Sequence, residues 1–254
     1  MRILMIGAGG VGDSAAKIAG ERAFFDAFIV ADHDLDRAKA IVDAVKDRGE
    51  GEKRFHAAQV DASDAEQVAA LIRMVGATHV LNAVDPRFVM PIYRGCLDAG
   101  ANYLDMAMSL SQRHPDEPFS KPHVKLGDEQ FAMAPEWEES GRLALLGIGV
   151  EPGLSDVFAR YAVDHLFSQI DELGTRDGAN LAYYKPDGSE GFAPGFSMWT
   201  IIEECLNPPV VWEKARAEAG GSIEAGFFTL PPFSEPEVFD FPEGIGPVEC
   251  VQVE

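Results

Sequence analysis

Residues 2–12 read Arg2-Ile3-Leu4-Met5-Ile6-Gly7-Ala8-Gly9-Gly10-Val11-Gly12, an apolar run that breaks directly into glycines and then into a helical pattern. A short continuous apolar run bounded by glycine fits a strand buried on both faces. The glycines at 7, 9 and 12 have the Gly-x-Gly-x-x-Gly spacing. Gly7 permits a tight turn, Gly9 lets the backbone approach a pyrophosphate, and Gly12 lets helix and strand pack closely, with phosphates on the helix N-terminus. The next apolar run, Phe28-Ile29-Val30-Ala31, ends in Asp32, where a carboxylate accepts hydrogen bonds from the adenosine ribose hydroxyls. Strand, loop, helix, strand and acid in that order predict dinucleotide binding by Gly7, Gly9, Gly10, Val11, Gly12 and Asp32. The plain alternative is that the glycines only make a turn and Asp32 only caps the following helix.

Asp32 also bears on which dinucleotide binds. A carboxylate there repels a 2'-phosphate and favours NAD, while the neighbouring His33 and Arg37 offset that charge and admit NADP. Asp61, closing the third apolar run, either faces the adenine edge or caps the helix that starts near Asp64.

Working outward, the first 150 residues alternate apolar runs with helical patterns, the signature of βαβ units on a parallel sheet. Strands are expected at Arg2 to Ile6, Ala27 to Ala31, Phe55 to Val60, His79 to Val84, Asn102 to Asp105 and Leu143 to Ile148. Helices are expected at Val11 to Ala23, Leu35 to Arg48, Asp64 to Val75, Phe88 to Ala99 and Asp128 to Ser140. Asp34 and Ser63 stand where N-caps belong, and Gly100 and Gly141 where helices stop. The expected fold class is α/β: a doubly wound parallel-sheet Rossmann domain over 1–150, followed by a smaller, incomplete α+β substrate domain over 151–254. The second part is read as a helix from Leu154 to Phe167, an irregular Gly/Pro-rich stretch around Lys185 to Phe196, a helix from Met198 to Leu206, extended runs at Val210 to Glu213 and Gly226 to Leu230, and a Pro-rich loop from Pro231 to Pro242. It closes on a strand-like run, Val248 to Glu254, with no capping element after it, as a chain cut short would.

In an open parallel sheet, ligands sit outside the carboxyl ends of the strands near the switch point. The fourth run closes on Asn82-Ala83-Val84-Asp85-Pro86, which places Asn82, Ala83 and Val84 toward the nicotinamide ribose and Asp85 toward substrate. The fifth closes on Asp105, a candidate general base or amine partner, with a helix cap or structural hydrogen bond as the equal alternative. The sixth leads into Gly149-Val150-Glu151-Pro152-Gly153, where Glu151 is either a substrate contact or a first-turn acid facing the helix dipole. Cys96 falls among apolar residues of a helix and reads as core rather than nucleophile. The six histidines have no metal-ligand spacing, so no metal is assigned.

Composition narrows the classes further. The 254 residues are 46% apolar and 25% charged, as in a globular chain. No run of 18 apolar residues and no leader pattern occurs, which disfavours membrane insertion and export. Three cysteines, odd in number and far apart, fit a reducing cytoplasm. With 21 Lys and Arg against 42 Asp and Glu, the net charge of -21 repels phosphate backbones, so nucleic acid and anionic membranes are not expected partners. The acidic candidates Asp85, Asp105 and Glu151 suit a cationic amine.

IGAGGVG, VLNAVDPRF followed by CLDAGANYLDMA, GVEPGLSDVFARYAVDHLF, FSMWTIIEECLNPPVVWE and FPEGIGPVEC together resemble the saccharopine dehydrogenase family, including its saccharopine reductases, lysine 6-dehydrogenases and carboxynorspermidine dehydrogenases. The resemblance covers essentially the whole chain. It implies NAD(P)-dependent chemistry at a carbon–nitrogen bond of an amino acid or polyamine secondary amine: hydride removal beside the amine gives an imine, which water splits, and the reverse is reductive condensation. It implies that Gly7, Gly9, Gly10, Val11, Gly12 and Asp32 hold the dinucleotide and that Asn82 to Pro86 form the nicotinamide-side loop. Glu151, Pro152 and Gly153 match a loop that usually reads Asp-Pro-Gly, and Trp199, Thr200 and Glu203 match the substrate-lobe motif. Members usually run well past the GPVE strand, and the missing part resembles the region that completes the substrate lobe and supports a homodimer. A dinucleotide-binding protein without turnover, either a redox sensor or a truncated relic, is the competing class.

Overall fold

Ala27–Asp32 is buried at every position, which a strand achieves only inside a sheet covered on both faces. This strand, β2, pairs in parallel with β1 (Arg2–Ile6) on one side and β3 (Phe55–Gln59) on the other. The computed structural model describes residues 1–49, 54–177, 182–191 and 197–254. β4 (His79–Asn82), β5 (Asn102–Asp105) and β6 (Ala144–Leu145) extend the opposite edge, giving the order β3-β2-β1-β4-β5-β6. The order reverses between β1 and β4, and a crevice outside their carboxyl ends follows from that reversal.

The strands alternate faces as their period of two requires. Met5, Phe28 and Val30 pack on Ala16, Ile41 and Val45 from α1 (Gly10–Gly20) and α2 (Leu35–Asp47). Leu4, Ile6 and Ile29 pack on the opposite side with Val68, Ile72 and Ile92 from α3 (Ala65–Val75) and α4 (Val89–Ala99). The doubly wound reading of the sequence is what the chain adopts.

Local corrections have local causes. The Asp34 carboxylate accepts from the N–H groups of Asp36 and Arg37 and caps α2. Ser63 does not cap α3; Asp64 does, its Oδ1 accepting from Glu66 and Gln67, because the helix starts one residue later than its pattern implies. Gly100 and Gly141 end helices with φ of 71° and 64°, where a side chain is disfavoured. The single helix expected from Asp128 to Ser140 is two, α5 (Asp128–Phe131) and α6 (Ala134–Ser140), because Pro135 tolerates a first turn but not an interior. The sixth strand is only two residues long, since the chain turns at Gly147 with φ of 60°.

By compactness the chain divides into Met1–Leu110 with Leu126–Gln169, and Ser111–Lys125 with Ile170–Glu254. The helix α7 (Leu154–His165), read from sequence as the start of a second lobe, groups with the first unit. The second unit contains β7 (Tyr183–Tyr184) antiparallel to β8 (Glu190–Gly191), α8 (Met198–Leu206), β9 (Val210–Trp212) and a helix the sequence reading missed, α9 (Lys214–Gly220). β9 pairs with β10 (Phe227–Thr229), and β11 (Ser234–Phe241) with β12 (Gly246–Gln252). The Pro231 to Pro242 loop is therefore corrected to a strand over most of its length. Pro236 lies where the register shifts between Ser234 and Glu237, so its missing N–H removes no ladder bond. Within this unit Thr229 donates to the Pro118 carbonyl at 3.0 Å and Asn207 to Ser111 Oγ at 3.3 Å, which ties the excursion over 111–125 to the later chain. The end of the irregular stretch, residues 192–196, lies outside the described residues.

Candidate functional site

The glycine loop separates into packed and open positions. A Cβ on Gly7, whose φ is 117°, would lie 2.4 Å from the Ala83 carbonyl oxygen, and one on Gly12 would lie 2.1 Å from the Gly7 carbonyl oxygen. Those two glycines let β1, α1 and the end of β4 approach one another. At Gly9 and Gly10 a Cβ would meet nothing within 4 Å. Gly9 is the N-cap of α1, and its carbonyl accepts from Asp13 N at 2.8 Å, so the unpaired N–H groups of the first turn face open space beside the 43%-exposed Val11. This cradle fits a dinucleotide pyrophosphate.

Asp32 closes β2 and is 7% exposed. Its Oδ2 accepts from Ala8 N at 2.7 Å, and its Oδ1 accepts from Asp34 N at 3.0 Å with His33 Nδ1 at 2.9 Å. Arg37 donates to the Ala8 carbonyl at 3.3 Å. The acid thus fixes the loop, and a guanidinium and an imidazole stand beside it. Asp61 does not cap α3. Its Oδ1 accepts from the Ser63 N–H and hydroxyl, which hold its carboxyl below the usual carboxylate range.

At the end of β4, Asn82 is 3% exposed and its Oδ1 accepts from Val84 N at 3.1 Å. Ala83 donates to the Ile6 carbonyl at 2.8 Å, which lays Asn82, Ala83 and Val84 against the glycine turn. Asp85 takes Arg87 N and sits 2.7 Å from Arg87 Nε, so the carboxylate expected to meet a cationic substrate carries a cation of its own.

At Asp105 the contacts match the structural-hydrogen-bond reading. It is 1% exposed, and its Oδ2 accepts from the Tyr103 hydroxyl at 2.9 Å and Gln130 Nε2 at 2.7 Å, while Oδ1 accepts from Gly147 N at 2.7 Å. Gln130 in turn accepts from Ser109 N at 2.7 Å, and its carbonyl accepts from the Tyr93 hydroxyl at 3.2 Å. The carboxylate is a structural anchor between β5, α5 and the turn after β6, and its surroundings do not present it as a proton acceptor. Sequence reasoning missed Gln130, because a lone glutamine in a four-residue helix has no periodicity to mark it.

Burial and the Asp105 charge push the Tyr103 phenol well above its ordinary value and the Tyr93 phenol up to about 12. A raised phenol is neutral in the fold over a pH range where the unfolded chain ionises. Stability is thus held below the unfolded value near 10 and lost as pH rises toward about 12. Chemical denaturation at stepped pH is expected to show this loss, and to show it reduced in Tyr93→Phe, the Tyr103 share remaining; an unchanged alkaline slope in that variant would refute it.

Glu151 is exposed in the turn that follows β6. Pro152 is half-buried, and Gly153, with φ of 134°, packs so that a Cβ would lie 2.5 Å from the Gly149 carbonyl oxygen. Gly153 N donates to Asp156 at 2.9 Å at the start of α7. In the second unit, Trp199, Thr200 and Glu203 all lie on α8, with Trp199 and Glu203 one turn apart on one face and Trp199 52% exposed. Cys96 is fully buried, which pushes its thiol well up and agrees with a core role. A cleft of about 440 Å³ lined by Arg2, Ile29, His56, Gln59, Met74 and Val75 contains none of the glycine-loop residues, so the loop geometry locates the candidate site. Among the described residues no cluster of His, Cys, Asp and Glu is placed to hold a metal, and no helix is long and apolar enough to cross a membrane.

A family model described as the saccharopine dehydrogenase NADP binding domain matches residues 3–145. Carboxynorspermidine synthase of Vibrio alginolyticus is 30% identical over 220 residues, 85% of this chain and 51% of that protein. Carboxyaminopropylagmatine dehydrogenase of Synechocystis sp. is 27% identical over 205 residues, 80% and 48% of the two. The chain spans about half the length of the curated relatives it matches. Apo saccharopine dehydrogenase (L-Glu forming) from Saccharomyces cerevisiae matches with a TM-score of 0.59 at 14% identity, covering 96% of this chain and 48% of that one, a likeness of fold.

Proposed function

Because this chain belongs to the saccharopine dehydrogenase family, we propose that it serves an NADP(H)-dependent oxidoreductase acting on the CH–NH bond of an amino acid or polyamine secondary amine. The observation that carries the reading is the cradle at Gly9 and Gly10, closed behind by Gly7 and Gly12 and tied to β2 by Asp32. The N–H groups at the start of α1 would hold the pyrophosphate, Asp32 the adenosine ribose, and Asn82, Ala83 and Val84 the nicotinamide side. When bound, the dinucleotide supplies the hydride acceptor or donor. The chain's own task is then to orient the reacting carbon, exclude water and receive one proton. Exposed Glu151 is the proposed proton acceptor, and Asp85, Pro152, Gly153, Trp199, Thr200 and Glu203 are the proposed substrate residues. The net charge of -21 draws in a cationic amine. A cytoplasmic homodimer completes the proposal.

NADP(H) is chosen over NAD(H) on two grounds: the matching family model is that of an NADP-binding domain, and Arg37 beside Asp32 supplies a guanidinium for a 2'-phosphate. Sequence alone leaned to NAD on the Asp32 carboxylate. In fluorescence titration, Arg37→Ala is expected to weaken NADPH by about tenfold to a hundredfold, the worth of one charge-assisted pair, with NADH unchanged. Equal loss for both dinucleotides would remove Arg37 as the phosphate partner.

The activity is tested by titrating the chain with NADPH and then following NADPH oxidation with panels of aldehydes or 2-oxoacids mixed with amines. Binding with turnover supports the proposal. Binding without turnover on every pair favours the sensor or relic class, and no binding overturns the reading.

A further inference from the structure

The Asp105 cluster ends at the dinucleotide side of the sheet, and its hydrogen bonds have a direction. Three donors converge on the carboxylate, one of them the Tyr103 hydroxyl at 2.9 Å. A phenol has one proton, and Tyr103 gives it to Asp105. Toward Asn82 the same oxygen can therefore only accept, and Asn82 Nδ2 donates to it at 2.9 Å. That fixes which way the amide faces: nitrogen to Tyr103, oxygen to Val84 N at 3.1 Å. The segment so held has the Ala83 carbonyl and Val84 Cγ1 packed around Gly7, at 2.4 and 2.9 Å from where a Cβ would stand. All three side chains are nearly sealed from solvent, with Tyr103 fully buried and Asn82 and Asp105 3% and 1% exposed. Tyr103 also packs edge-on against Tyr93 with ring centroids 5.0 Å apart, so its ring is held without the hydroxyl.

We propose that Tyr103 is a positioning residue for the nicotinamide half of the dinucleotide: its hydroxyl relays the acceptor character of Asp105 to Asn82, and the oriented Asn82 amide sets the backbone of Ala83 and Val84. This rests on the reading that the glycine loop and the β4 end hold one dinucleotide. Without the hydroxyl, the buried Asn82 Nδ2 loses its acceptor and the amide is held by the Val84 N–H alone, so the side chain and the backbone it sets are less firmly fixed.

The test uses two probes on the full chain: NADPH, which reaches both halves of the site, and 2',5'-ADP, which reaches only the adenosine half. Tyr103→Phe keeps the ring and removes the hydroxyl. It is expected to weaken NADPH by about tenfold, as for one lost hydrogen bond, and to leave 2',5'-ADP within twofold of the unsubstituted chain. Asn82→Asp, which replaces the donor by an acceptor, is expected to show the same split more strongly. Equal weakening of both probes would mean general loosening of the fold and overturn the proposal, as would unchanged NADPH binding in Tyr103→Phe. Failure of the unsubstituted chain to bind either probe overturns the underlying dinucleotide reading instead. If Tyr103→Phe fails to fold, circular dichroism reports it, and Asn82→Asp alone then decides by the same split.

Discussion

Gly12→Ala is expected to abolish NADPH binding and to lower stability by about 2 kcal/mol, in the range of overpacked cores. The added Cβ would stand 2.1 Å from the Gly7 carbonyl oxygen and 3.3 Å from Met5 Cε. Met5 can yield, since its side chain is flexible. The carbonyl cannot move alone, because Gly7 N donates to Ala31 at 2.8 Å and the glycine's own flank is packed against Ala83. Relief must come from tilting α1 away from β1, which displaces the helix N-terminus that the pyrophosphate needs. Gly10→Ala is the matched control: a Cβ there meets nothing within 4 Å in a helical position, and the substitution is expected to raise stability by about 0.5 kcal/mol. Thermal melting and NADPH titration of both variants check this. A Gly12→Ala chain that binds NADPH within threefold of the unsubstituted one would show that close packing of α1 on β1 is not what builds the site.

Asp105→Ala carries the second large effect, and it falls on the fold. The substitution strips the acceptor from the Tyr103 hydroxyl, Gln130 Nε2 and Gly147 N in a place with almost no access to water. Stranding three buried donors is expected to cost about 4 kcal/mol. For a chain of this size that is a fall in Tm of about 10 °C. Asp105→Asn keeps the shape but turns an amide NH₂ toward one of the donors, and is expected to lower Tm by about half as much. From sequence Asp105 is a base or amine partner on one reading and a structural hydrogen bond on the other. A variant that melts like the unsubstituted chain while turnover collapses would restore the base and remove the anchor.

The sheet was legible because its information is local: apolar runs of four to six residues, glycines where the backbone must come close, and an aspartate before α2. The glycine loop was legible for the same reason, since every residue of the turn lies within a dozen positions of the next. What failed depended on contacts distant in sequence. Asp105 stands at a strand end, where a catalytic acid and a structural one look alike. Only the arrival of Gln130 and Gly147, 25 and 42 residues onward, separates them. The cation already paired with Asp85 was missed on a shorter scale, Arg87 being close enough in sequence to be weighed as its partner. Pro236 misled because proline was read as a strand breaker, whereas a register shift in the β11–β12 ribbon gives it a place without a ladder bond.

The excursion over 111–125 belongs with the chain beyond Ile170, yet it is encoded inside the coding stretch for the first unit. The two units are therefore interleaved rather than end to end. A single crossover in the gene cannot exchange one unit intact: at residue 150 it separates Pro118 from Thr229 and Ser111 from Asn207, and before residue 111 it divides the first unit itself. Variation in the later unit must arise residue by residue and in step with the excursion, so the two stretches are expected to share an evolutionary history that recombination does not unlink.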